Sequence, residues 1–88
     1  MIRVEGTVQG RVQRVGFRVG MLREAELAGV AGWCCNLADG RVGFAVEGPA
    51  AAVRTVLDWV REGPRYGQVD QVQTRRVPPT GEKGFRIR

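Results

Sequence analysis

At 88 residues the chain has room for one domain, 1–88, around one modest core, and 43% hydrophobic with 26% charged content fits a globular protein rather than a disordered or membrane-spanning one. The formal net charge of +5 and pI near 10.6 admit a nucleic acid, a membrane surface or a small anion as partner, and the arginines that supply it are scattered rather than blocked. With no His and no Ser, a Ser/His/Asp constellation and an imidazole base are both excluded, so any catalysis must rest on Arg, Asn, carboxylates or backbone.

The first strand is written in alternation, with Ile2, Val4, Gly6 and Val8 set against Arg3, Glu5, Thr7 and Gln9. That pattern breaks at Gly10, and Met21 to Ala28 reads as helix. The loop from Gly10 to Arg18 therefore lies where a helix begins. There, free backbone N–H groups and the positive end of the helix dipole favour a phosphate or carboxylate, and Arg18 adds a planar two-pronged donor. A cation in a first turn opposes the dipole by roughly 0.3–1 kcal/mol, which argues that Arg18 has an anion to meet.

Gly29 stops the helix, and Val30 to Asn36 reads as a second strand. Cys34 and Cys35 point to opposite faces of it, so a mutual disulfide is geometrically poor and free thiols are expected. With no second Cys cluster and no His, a tetrahedral metal site is not expected, and neither is a cofactor. Asp39-Gly40 between apolar runs signals a hairpin into a third strand, Arg41 to Glu47, with Val42, Phe44 and Val46 on one face. Val53, Val56, Leu57 and Val60 recur at helical spacing until Gly63 and Pro64. Val69 and Val72 mark a fourth strand, Val77 to Gly84 a loop, and Phe85 to Arg88 a short terminal strand.

The order β-α-β-β-α-β plus a short fifth strand describes an α+β, ferredoxin-like split β-α-β sandwich, with two helices on one face of an antiparallel sheet. No apolar run approaches membrane length and no signal-peptide pattern opens the chain, so a cytoplasmic location is the expectation. Without an evident exposed apolar stripe, a monomer is expected too.

The segment Gly6 to Arg18, the stretch Gly32, Trp33, Asn36, Asp39, Gly40 and Val42, and the ending Gly84, Phe85 and Ile87 together resemble the acylphosphatase family over essentially the whole chain. The resemblance implies hydrolysis of small acyl phosphates to a carboxylate and inorganic phosphate. It implies a phosphate-binding loop of Val12, Gln13, Arg14, Val15, Gly16 and Phe17, with Arg18 gripping phosphoryl oxygens and Asn36 positioning the water. An acyl phosphate is a mixed anhydride whose leaving carboxylate needs no general acid, so rigid donors and a held water suffice. Such chemistry suits a chain without His.

One position departs from the family pattern: Arg14 stands where relatives carry Gly. If the backbone turns there to positive φ, a non-Gly residue costs roughly 1–2 kcal/mol, and the added cation would tighten phosphate while slowing its release. Lower turnover than with Gly is the expectation. Two other readings follow from the residues: a catalytically weak or silent anion-binding module, and an RNA-binding domain of the same element order. Against RNA, no aromatic lies between Ile2 and Gln9 to stack a base, and Phe44 shares parity with Val42 and Val46, so it is expected to be buried rather than displayed. The expected partner is therefore a small acyl phosphate, with neither nucleic acid nor membrane.

Overall fold

Alternation builds the strands and helical spacing builds the helices, and the computed structural model, which describes residues 1–88, shows where each begins and ends. The elements are β1 (Ile2–Arg11), α1 (Phe17–Ala28), β2 (Ala31–Asn36), β3 (Val42–Gly48), α2 (Ala50–Glu62), β4 (Gln68–Val77) and β5 (Phe85–Ile87). Along α2, Val53, Val56 and Val60 are buried at helical spacing, and the Gly63 N–H closes the helix on the Trp59 carbonyl at 2.7 Å. Along α1 the buried residues are Phe17, Gly20, Met21 and Ala25, and Gly29 ends the helix in the left-handed region at φ 73°.

Helix α1 starts four residues before Met21, the residue at which the sequence pattern becomes helical. Gly20, a poor helix former, obscures the periodicity there. Its place is explained by packing, because a Cβ on Gly20 would lie 2.6 Å from the Trp59 ring. The same ring pairs with Phe17 at a centroid distance of 5.2 Å, which fixes the start of α1 against α2.

The sheet order is β4-β1-β3-β2-β5, and the two helices share one face as expected, giving the ferredoxin-like sandwich. The sheet is mixed rather than antiparallel throughout. Pairings β1–β3, β1–β4 and β2–β3 are antiparallel, whereas β5 runs parallel to β2, with Gly32 opposite Phe85 and Cys34 opposite Ile87. The reason is the path of the chain. Residues 78–84 carry it from the β4 edge to the far edge past the end where β1 starts, and a strand entering there must run the same way as β2.

The core is a cluster of 14 buried residues between sheet and helices, Phe17, Met21, Phe44 and Val42 among them. Phe44 lies there, opposite Gly6 and between the pairs Val4–Val46 and Val8–Val42, so its ring is not displayed on the open face of the sheet. Trp33 alternates onto that open face and carries the Arg88 guanidinium 4.5 Å from its ring centroid. Both cysteines are free, Cys34 buried and Cys35 half-buried.

At the end of the sheet where β1 starts, Glu47 makes a latch on the crossing segment. Its carboxylate accepts the backbone N–H groups of Thr80, Gly81 and Glu82 at 2.9, 2.8 and 3.0 Å, and the Arg3 guanidinium at 3.1 Å. Arg3 also donates to Glu82, Glu5 and the Thr80 hydroxyl, so its charge is matched despite burial. No helix is long and apolar enough to cross a membrane.

Candidate active site

The opposite end of the sheet gathers the residues singled out by the sequence. There β1 ends at Arg11, β2 ends at Asn36, and Asn36 pairs with Val42, which in turn pairs with Val8. Between β1 and α1 the loop 12–16 turns twice into the left-handed region, at Arg14 (φ 64°) and at Gly16 (φ 82°). Arg14 is the chain's one non-glycine residue at positive φ, so the loop keeps a glycine-type backbone with an arginine in it. Its side chain is exposed.

Gly16 sits at the N-cap of α1, with no side-chain cap and no acidic residue in the first turn. The first intrahelical bond is Gly20 N–H to the Gly16 carbonyl at 3.0 Å, so the N–H groups of Phe17, Arg18 and Val19 precede the helical ladder. Arg18 lies in this turn, half-buried, and enters none of the ion pairs of the molecule. Val12 and Phe17 are each 1% exposed, so their side chains belong to the core and only their backbone is left for a ligand. Val15 packs against the same core.

Beneath Arg18, the Cys34 thiol donates to the Arg18 carbonyl at 3.8 Å. Burial pushes this thiol up to about 12, with the Arg18 charge opposing the rise. Cys34 is thus a neutral packing group under the helix start. This place is not legible in the sequence, since nothing local in β2 reports contact with α1.

Asn36 is exposed at the mouth of the β2–β3 hairpin. The hairpin is held by Leu37 N–H to the Arg41 carbonyl (2.8 Å) and Gly40 N–H to the Leu37 carbonyl (3.2 Å). Asp39 accepts the Arg41 backbone N–H at 3.1 Å and the Arg41 Nε–H at 2.7 Å. The backbone bond first, and then the guanidinium, hold the Asp39 carboxyl below its usual range. The Gln13 side-chain amide reaches across from the loop and donates to the Leu37 carbonyl at 2.8 Å and the Arg41 carbonyl at 3.0 Å. Asp39 two residues before Arg41 is a readable turn signal, but Gln13 and its two acceptors are 24 and 28 residues apart and leave no local trace. Nowhere do three Cys, Asp or Glu side chains converge as metal ligands would.

The class defined by this arrangement is a ferredoxin-like α+β sandwich with an uncapped, arginine-bearing helix start beside an exposed Asn at the end of β2. A family model described as Acylphosphatase matches residues 4–87. The chain is 40% identical over 86 residues to an acylphosphatase of Thermococcus kodakarensis, covering 98% of this chain and 94% of that protein. It is 45% identical over 85 residues to an acylphosphatase of a Nocardioides species, covering 97% and 86%. The crystal structure of acylphosphatase from Bacillus subtilis superposes with a TM-score of 0.95 at 34% identity, covering 99% of this chain and 98% of that one. The chain belongs to the acylphosphatase family.

Proposed function

We propose that this enzyme hydrolyses the carboxyl-phosphate bond of small acyl phosphates, with Arg18 and the backbone N–H groups of residues 12–17 binding the phosphoryl group and Asn36 holding the water. Two N–H groups of the Arg18 guanidinium grip two phosphoryl oxygens, and loop and first-turn amides take the others. The Asn36 amide orients a water in line with the bond to the acyl oxygen. The water oxygen bonds to phosphorus, the bond from phosphorus to the acyl oxygen breaks, and its electron pair leaves with the carboxylate. Asn is too weak a base to take the proton of the water, so that proton passes to a phosphoryl oxygen. Inorganic phosphate is the second product, and no metal or cofactor takes part.

The observation that supports this reading best is the uncapped first turn of α1, with an arginine in it that no carboxylate neutralises. Hydrolysis of benzoyl phosphate without added metal tests it. The parent should run well above buffer, and Arg18→Ala and Asn36→Ala should each lose about a hundredfold or more in kcat/KM while keeping the fold. A parent no faster than buffer contradicts the enzyme. It would instead support the second reading, an anion-binding module without turnover, which is favoured by Arg14 in the left-handed turn of the loop.

A further inference from the structure

Gln13 carries its side chain on the loop that is proposed to hold phosphate, yet both N–H groups of its amide are directed at protein carbonyls, Leu37 at 2.8 Å and Arg41 at 3.0 Å. A primary amide has two donor hydrogens, so none is left for a phosphoryl oxygen. The remaining Oε1 is an acceptor and offers a phosphate dianion nothing. The side chain therefore serves something other than anion binding.

What it joins is informative. In the sheet, β1 and β2 are separated by β3, so the loop after β1 and the turn after β2 share no backbone ladder. Leu37 directly follows Asn36, and its carbonyl is held by Gln13 and Gly40 while its N–H is held by Arg41. The Arg41 carbonyl, which closes the hairpin onto Leu37, is the second acceptor of Gln13. One amide thus ties the cradle to both ends of the turn that carries Asn36.

We infer that Gln13 is a positioning residue, which sets the place of Asn36 and its water relative to the phosphoryl group through bonds to the Leu37 and Arg41 carbonyls. The inference rests on the acylphosphatase reading for its kinetic consequence and on geometry alone for its structural one. A misplacement of about 1 Å between attacking water and phosphorus costs on the order of a hundredfold. Loss of the tether should therefore fall on kcat rather than on phosphate binding.

The test uses Gln13→Met, which keeps length and removes both donors, and Gln13→Glu, which puts an acceptor against two acceptors. With benzoyl phosphate, Gln13→Met should lower kcat about ten- to a hundredfold while inhibition by inorganic phosphate changes less than about threefold. Because Gln13 acts through Asn36, the same substitution placed in Asn36→Ala should cost little more. In Gln13→Glu the deficit relative to the parent should shrink as the pH falls through the carboxylic acid range, since the protonated acid regains one donor. Independently of turnover, amide hydrogen exchange at Leu37 should quicken in Gln13→Met. An unchanged kcat in an active parent, an equal loss in the Asn36→Ala background, a deficit flat with pH, or unchanged exchange at Leu37 would each overturn the assignment. An inactive parent with quickened Leu37 exchange would contradict the acylphosphatase reading and leave the tether standing.

Discussion

Arg14 is where one residue weighs most on the candidate site. The structure holds its backbone at φ 64°, the conformation that Gly adopts freely, so the arginine occupies a glycine-type turn and adds strain and charge to it. The strain is roughly 1–2 kcal/mol, and Gly in its place would lose roughly 0.5–1 kcal/mol through the flexibility of the unfolded chain. Arg14→Gly should therefore leave stability unchanged or raise it by up to about 1.5 kcal/mol. Its larger effect should be on turnover. With the extra cation gone, kcat on acetyl phosphate should rise about two- to tenfold and inhibition by inorganic phosphate should weaken. Steady-state rates of the two proteins check this, and an unchanged or slower Arg14→Gly would contradict it.

Among the elements, those governed by local patterns were the legible ones. The alternation of Ile2 to Gln9 gave β1, the valines at 53, 56 and 60 gave α2, and Asp39-Gly40 gave the hairpin that sets Asn36 at its mouth. The start of α1 was not readable to the residue, because Gly20 is chosen for contact with Trp59 rather than for helix formation. Nor was the direction of β5. A three-residue strand carries too little pattern to declare its neighbour, and its parallel pairing follows from where residues 78–84 cross. Within the site, Arg18 stood out by its charge at a helix start, whereas Asn36, which a hairpin turn would equally accept, stood out only through the family resemblance. Gln13 stood out only as part of a loop motif, since the partners of its side chain are distant in sequence.

At the scale of the whole molecule the two ends of the sheet have separate tasks. One end holds the loop, the start of α1 and the Asn36 turn, while at the other Glu47 and Arg3 fasten the segment that brings β5 to the far edge. The backbone N–H of Thr80 above all, then Arg3 and the Gly81 and Glu82 N–H groups, lower the Glu47 carboxyl from its ordinary 4.5 to about 2 against the opposing effect of desolvation. A carboxyl lowered on folding contributes stability that is complete above 4.5 and is lost as the pH falls through about 2. Urea midpoints at about pH 7, 4 and 2.5 should show the parent weakening across that window and Glu47→Gln starting lower with a shallower fall. Equal pH slopes would contradict the latch. Because that latch lies at the end of the sheet remote from Arg18, Glu47→Gln should leave kcat unchanged wherever the protein remains folded. The claim that joins the loop, Arg18 and Asn36 is that water attacks phosphorus, and hydrolysis in oxygen-18 water measures it directly. Label in the inorganic phosphate, with the released carboxylate unlabelled, is the result predicted, and label in the carboxylate would contradict it.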